Sequence, residues 1–346
     1  MQPILNVALV GYGFVGKVFH APLIANIPGL RLHTVVSSDA TKVLADHPGV
    51  RVVAEPETAF ADPEINLVVI AAPNPVHAAL ASAALAQGKH VVVDKPFTVT
   101  VQQAKQVVAD AEQAGRIVSV FQNRRWDADF LTVRKLIAEG ALGDVMEFHS
   151  HFDRYRPVVA DRWRERDEPG SGLWYDLGPH LLDQALQLFG MPEAVFADIA
   201  LQRDGAMAAD YFHVLLRYPK LRVVLHAGSL VSGQPLRFAV HGTRASYLKQ
   251  GLDPQEDALR KGETPGREGW GIDPLPGVLR TETTEGVRTD AVESIPGNYV
   301  HYYAAMRDAV VHGNPAPVTP QQALEVMAIL EWAQESSTTR REIACR

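Results

Sequence analysis

The feature that most constrains the fold lies at the amino end. Residues Ile4–Gly11 read ILNVALVG, an almost continuous apolar run of the kind buried on both faces of a parallel sheet. GYGFVG follows at once, and then a helical stretch, KVFHAPLIANI. A strand, G-x-G-x-x-G and a helix in that order make a dinucleotide-binding unit, because each glycine has its own task. Gly11 permits the tight turn, Gly13 lets the backbone approach a pyrophosphate, and Gly16 allows helix and strand to pack closely. The helix N-terminus offers unpaired N–H groups to the phosphates.

Further apolar strands are expected at LRLHTVVS, INLVVIAAP, KHVVVDKP and RIVSVFQN. Helical segments such as HAALASAALAQG and TVQQAKQVVADAEQAG lie between them, each closed by a glycine. This alternation predicts an α/β Rossmann-type doubly wound parallel sheet over residues 1–121. Ligands of such sheets bind beyond the carboxyl ends of the strands. Those ends carry Ser37 and Ser38, Pro73 and Asn74, Asp94 and Lys95, and Asn123 and Arg124. At the end of the second strand an NAD site usually places an acid for the ribose 2′-hydroxyl. Here Ser37 and Ser38 stand there, with Lys42 a short way on, so a 2′-phosphate is accommodated. NADP is therefore the expected cofactor. NAD stays possible, because a small shift in the strand end would turn Asp39 into the ribose ligand.

Beyond residue 121 the pattern changes. After the amphipathic DADFLTVRKLIAEGALG come longer, alternating strands: DVMEFHSHFDRYRP, DYFHVLLRYP, LRVVLHAGSL and LRFAVHGT. Alternation predicts a large, predominantly antiparallel sheet with two unlike faces, in an α+β domain spanning 122–346. This domain is expected to bind substrate and to mediate assembly, with C-terminal helices packing on one or both domains. No helices follow its strands to cover the second sheet face, so a homodimer or homotetramer is expected. The Gly- and Pro-rich stretch Gly251–Gly277 reads as an excursion from the core, in which Trp270 is a candidate for closing a site or an interface.

Composition excludes several function classes. The net charge of -7 and the lack of long basic runs give nucleic-acid binding no electrostatic support. No run of about 18 apolar residues exists to span a membrane, and the first residues lack a basic n-region, so a cytoplasmic protein is expected. One cysteine, Cys345, rules out an intramolecular disulfide and a multi-cysteine zinc site.

Two short motifs carry candidate chemistry. In VVVDKPF, Lys95 precedes Pro96 at a strand end. It is either an ordinary surface lysine or a fixed cation able to stabilise the alkoxide-like charge of hydride transfer. In LWYDLGPHLLD, Asp176 and His180 are four apart, with Gly178 and Pro179 between them. They read as a helix cap and a first-turn residue, as two ligands, or as a proton-handling pair. Pro179 suggests a helix start, with Asp176 just before it. A metal site needs a third ligand, and HSH (His149 and His151) reads as polar residues on a sheet face, so no metal is expected.

Taken together, GYGFVG, PNPVH, DKP and YDLGPHLLD resemble the Gfo/Idh/MocA family of NAD(P)-dependent oxidoreductases over essentially the whole chain. HAPLI, DKPFTVT, NRRWDADF, FDRYRP and GLDPQED are most similar to its branch of NADP-dependent scyllo-inositol dehydrogenases. The resemblance implies a dehydrogenase acting on a secondary alcohol of a cyclic polyol or sugar, with Lys95, Asp176 and His180 catalytic. It implies cofactor contacts from the glycine loop, including Phe14 and Val15, from Pro73, Asn74 and His77, from Asp94, Lys95 and Pro96, and from Asn123, Trp163 and Arg164. Substrate contacts are expected from Asn123, Arg124, Asp153, Arg154, Tyr155 and Tyr299. Two other readings stay open: a noncatalytic NADP-binding regulator, and an NAD-assisted glycoside-cleaving relative.

Overall fold

The computed structural model describes residues 3–346, and the chain divides into two compact units. The first comprises the chain up to Asn123 together with Gln255–Trp270 and Asn298–Leu324. Its six-stranded sheet has the order β3-β2-β1-β4-β5-β6. The strands are β1 (Leu5–Val10), β2 (Leu30–Val36), β3 (Arg51–Val53), β4 (Leu67–Ile70), β5 (His90–Val93) and β6 (Val118–Val120). Every pairing is parallel, and the order reverses between β1 and β4, the switch point at which dinucleotides bind. β1 and β4 are buried along their whole lengths, as their unbroken apolar sequences require. The helix Val101–Ala114 shows why local chemistry sets boundaries: Thr100 and Gln103 form a capping box, and Gly115 closes the helix at φ 60°.

The second unit comprises Arg124–Pro254, Gly271–Gly297 and Glu325–Arg346. Its nine-stranded sheet has the order β14-β13-β12-β11-β7-β10-β9-β8-β15. In chain order these are β7 (Val145–His151), β8 (Ala194–Ala200), β9 (Tyr211–Arg217), β10 (Arg222–Gly228), β11 (Leu236–Gly242), β12 (Ala245–Gln250), β13 (Gly277–Thr283), β14 (Gly286–Val292) and β15 (Ile343–Ala344). Only β7 and β10 run parallel; all other pairs are antiparallel. One face is covered by the helix Gly172–Phe189, whose Trp174 meets Phe212 and whose Phe189 meets Phe148. The opposite face carries Glu147, His149 and His151 from β7, His226 from β10, and Tyr211 and His213 from β9, all less buried than their neighbours in sequence. The alternation predicts two unlike faces, and this one is rich in histidine.

The second unit is not the continuous block 122–346 expected from the sequence. Gln255–Arg260 is helical, Trp270 is buried, and its indole N–H donates to Gln255 at 2.9 Å. Trp270 thus belongs to the core of the dinucleotide-binding unit, which this segment joins. The Arg260 guanidinium lies 4.6 Å from the ring centre of Phe14 in the glycine loop. A guanidinium on an aromatic face and an indole satisfied by a buried amide outweigh the loop-forming glycines and prolines around them.

Candidate active site

In the first unit the three glycines differ in what surrounds them. Gly11 has φ +97°, and a Cβ there would sit 2.5 Å from the Ala71 carbonyl oxygen. A Cβ on Gly16 would overlap the backbone of Gly11. On Gly13 it would meet nothing within 4 Å. Two glycines are therefore required by the fold itself, while the third leaves an open cradle beside the first turn of the helix. That cradle fits a pyrophosphate.

At the end of β2, Asp39 caps the helix Ala40–Asp46, its carboxylate accepting the Lys42 amide at 2.9 Å. The Ser37 hydroxyl accepts the Asp39 amide at 3.1 Å, and Ser38 is exposed. Lys42 Nζ donates to the Tyr12 carbonyl at 3.1 Å, which brings a cation to the glycine loop. Asp39 is thus engaged in holding its own helix, a use that the strand-end pattern did not reveal.

The DKP segment is held from beneath. His77 is fully buried, with Nδ1 2.9 Å from the Pro96 carbonyl and Nε2 2.8 Å from the Ala72 carbonyl. Both nitrogens face protein carbonyls, so His77 shapes the loop that bears Lys95 instead of presenting a nitrogen to a nucleotide. Pro73 is exposed, Asn74 buried and Lys95 partly buried. Behind Lys95, Asp94 lies 3.8 Å from His20 Nε2, and His20 Nδ1 is 2.6 Å from the Tyr303 hydroxyl. Burial alone would raise the Asp94 pKa. The nearby His20 imidazole, with the charges of Lys95 and His77, outweighs burial and holds the carboxyl below the usual range. Burial pushes the Tyr303 hydroxyl up. This Tyr303–His20–Asp94 chain was missed in the sequence. Its only trace is His20 at a helix position, and nothing local links that to a tyrosine 283 residues on.

In the second unit, Asp176 and His180 both lie inside the helix Gly172–Phe189, with Pro179 in its interior. This corrects the helix start expected at Pro179. Ser171 is the N-cap residue, and every residue from Leu177 to Leu186 is buried, so tertiary packing stabilises a helix that Gly178 and Pro179 weaken. Gly178 is needed because the Trp174 ring covers it: a Cβ would lie 2.5 Å from Trp174 Cε3. Trp174 is itself fixed by its indole N–H donating to the Leu330 carbonyl at 3.1 Å. One turn beyond His180, Asp183 accepts two bonds from Arg125, at 2.8 and 2.6 Å, and Gln184 bridges the Arg124 carbonyl and Arg237. The helix face bearing the pair is therefore anchored by buried bidentate contacts.

Asp176 is partly exposed on a small pocket whose lining includes Phe152, Arg154, Arg156, Arg162 and Arg164. Arg164 Nε stands 3.6 Å from Asp176 Oδ1 and its guanidinium lies over Trp163. Glu165 and Arg203 tie this short helical turn down through a buried ion pair, and Asp210 holds Arg203 from the other side at 2.7 Å. Of the expected substrate residues, Arg154 lines this cavity, and Arg124 is buried over the Phe152 ring at 4.6 Å. Asn123 is buried and Tyr155 is exposed. Two expectations are corrected. Tyr299 is fully buried against Phe19 in the first unit, its N–H donating to Gln255, which makes it a core residue. Asp153 does not line the cavity; its carboxylate accepts the Gly228 amide and faces His151 and His226.

The description "Oxidoreductase family, NAD-binding Rossmann fold" matches residues 5–122, and that family's C-terminal alpha/beta domain matches residues 134–345. The chain belongs to the Gfo/Idh/MocA oxidoreductase family. It is 54% identical over 341 residues, 98% of either chain, to the uncharacterized oxidoreductase YdgJ of Escherichia coli. It is 40% identical to IolW of Bacillus subtilis, named as an NADP-dependent scyllo-inositol 2-dehydrogenase, over 98% of this chain and 95% of that one. Among solved structures, the oxidoreductase yvaA of Bacillus subtilis superposes with a TM-score of 0.97 at 39% identity, covering 100% of this chain and 99% of that one. Membership in the Gfo/Idh/MocA family makes the chain an oxidoreductase with a nucleotide-binding Rossmann domain, in a family that includes dehydrogenases acting on CH–OH groups.

Proposed function

We propose that this protein is an NADP-dependent dehydrogenase that interconverts a secondary alcohol and a ketone on a cyclic polyol or sugar. The observation that carries the reading is the acid–histidine pair one turn apart on a buried, anchored helix, with Asp176 opening onto a cavity dense in hydrogen-bond donors. An NADP held by the glycine loop would supply the hydride acceptor for the carbinol carbon. A ring nitrogen of His180 takes the hydroxyl proton, a task suited to the side chain that titrates near neutrality. The Lys95 ammonium stabilises the negative charge that builds on the reacting oxygen. Asp176 orients the imidazole or bonds the neighbouring substrate hydroxyl, and the Arg164 contact fixes its direction.

Three features support NADP over NAD: the serines at the end of β2, the use of Asp39 as a helix cap, and the reach of Lys42 to the glycine loop. The name of IolW supports a cyclic polyol as the substrate class. The lone free Cys345 fits a reducing, cytoplasmic setting. Purified protein offered a panel of inositols and sugars with each cofactor, followed by reduced-nicotinamide absorbance, tests the reading. Turnover with at least one cyclic polyol, faster with NADP, is expected. Turnover without net reduction would favour the glycoside-cleaving alternative, and cofactor binding without turnover the regulator.

A further inference from the structure

Outside the dehydrogenase site, the open face of the second unit's sheet carries a row of titratable side chains. The pairing register sets Asp198, His213, His226 and His151 side by side across β8, β9, β10 and β7. Beyond the end of β7 the ladder continues: the Phe152 amide donates to the His226 carbonyl at 2.9 Å and the Arg154 amide to the Gly228 carbonyl at 3.0 Å. Two-residue alternation therefore returns the Asp153 side chain to the face that carries His151. The Gly228 amide holds its Oδ1 at 2.9 Å. His151 Nδ1 and His226 Nε2 each stand 3.3 Å from a carboxylate oxygen of Asp153, and one donor atom from each of the three residues lies within 4.8 Å of the others.

We propose that His151, Asp153 and His226 form a site for a divalent transition metal of the zinc class, separate from the hydride-transfer machinery. Two observations carry this. First, a charge-assisted N–H···O bond is about 2.7–2.9 Å long, and both contacts exceed that. Ligands at about 2.0–2.1 Å from zinc lie roughly 3.3–3.4 Å apart along a tetrahedral edge, against about 3.0 Å for adjacent octahedral ligands. The contacts reach different oxygens, His151 Nδ1 to Oδ2 and His226 Nε2 to Oδ1, and either one matches the tetrahedral edge for a carboxylate binding through a single oxygen. Second, two imidazoles and one carboxylate suit zinc, leaving a fourth position for water. The sequence argument against a metal rested on the want of a third ligand beside His149 and His151. The fold supplies two further ligands to His151 by register, from Asp153 and from a residue 75 positions away in sequence.

The test uses the full chain, free of any affinity tag, stripped by chelator and titrated with zinc. One zinc per chain is expected, with a rise in Tm of about 5–10 °C when free zinc exceeds its Kd about a hundredfold. Cobalt(II) in place of zinc should give the intense visible bands of a tetrahedral site. His151→Ala and His226→Ala should each lose the stoichiometric zinc, the Tm rise and the cobalt bands, with NADP-dependent turnover within about twofold of the parent. If His226→Ala fails to fold, His151→Ala at the strand end carries the same readouts. No stoichiometric zinc on the parent chain, or zinc retained by a folded variant, would overturn the proposal, as would only the weak cobalt spectrum of an octahedral site.

Discussion

The three glycines of the dinucleotide loop allow stability to be separated from binding. Consider Gly13→Ala beside Gly11→Ala. At Gly13 the new methyl meets no protein atom within 4 Å, and its φ lies outside the left-handed region. Folding stability should change by less than about 0.5 kcal/mol, or rise slightly as the unfolded chain loses freedom. At Gly11 the φ of +97° alone costs about 1–2 kcal/mol for an L-residue, and the 2.5 Å approach to the Ala71 carbonyl adds a backbone clash. A total of roughly 3 kcal/mol corresponds to a Tm fall of about 6–12 °C for a unit of this size. NADP affinity should behave in the opposite way. Gly11→Ala is harmful through the fold, whereas Gly13→Ala should weaken binding at least about tenfold, equivalent to 1.4 kcal/mol, because its methyl occupies the cradle. Thermal denaturation of the free proteins and titration with NADP read the two effects independently. The reasoning is refuted if Gly13→Ala melts as early as Gly11→Ala, or if it binds NADP as tightly as the parent.

Other perturbations follow from the same geometry. His180→Ala should cut polyol oxidation by about 10²–10⁴-fold while NADP affinity stays near parental; unchanged turnover and pH profile in steady-state assays would place the base elsewhere. Ser37→Asp should narrow or reverse the NADP preference, and tighter NAD than NADP binding by the parent chain would contradict the assignment. His90 has its pKa lowered to about 4 by burial and by Arg116, and its Nδ1 accepts the Ile117 amide, so the folded state holds it neutral. The unfolded histidine gains a proton below about 6.5. Stability should therefore fall as pH drops from about 6.5 to 4, by roughly 1–2 kcal/mol once partial exposure is allowed for, and His90→Asn should flatten that window in pH-dependent denaturation. Light scattering should report a dimer or tetramer, and only monomer at micromolar concentration would contradict assembly through the second unit's sheet.

What was legible in the sequence follows the range of the physics involved. The glycine loop, five of the six parallel strands and the main alternating strands of the second unit are written in contiguous residues, through periodicity and turn chemistry, whereas the three-residue edge strand β3 is too short to show a pattern. The residues that went astray depend on partners far along the chain. Tyr299 looked like a donor before a helix, yet it is buried beside Phe19, about 280 residues earlier. Asp153 looked like part of a polyol cluster, but which face a strand residue takes is decided by the pairing of β7 with β10, and one position of register reverses it. Trp270 sits in a segment whose glycines and prolines signal loop, although its indole is held by Gln255 and the segment folds with the glycine loop.

The helix Gly172–Phe189 shows how a local rule gives way and why that matters for chemistry. Proline in a helix interior removes one backbone bond and crowds the preceding turn, at a cost of about 3 kcal/mol. Gly178 adds about 1 kcal/mol relative to alanine. Against this, burying a large apolar side chain contributes about 1.5–3 kcal/mol, and the helix buries Trp174, Leu177, Leu181, Leu182 and Leu186. The paired Asp183 and Gln184 lock its next turn through Arg125 and Arg237. The glycine is a requirement of the Trp174 ring that lies across it, so the residues that read as helix breakers are conditions of the packing. Continuity of the helix through them keeps Asp176 and His180 in an i,i+4 relation on one rigid element, whereas a break at Pro179 would leave Asp176 on a loop free to turn away. Under the proposed mechanism, a proton acceptor and the group that orients it must keep their separation throughout turnover. The large apolar burial on either side of the glycine and proline is what allows this helix to satisfy that demand.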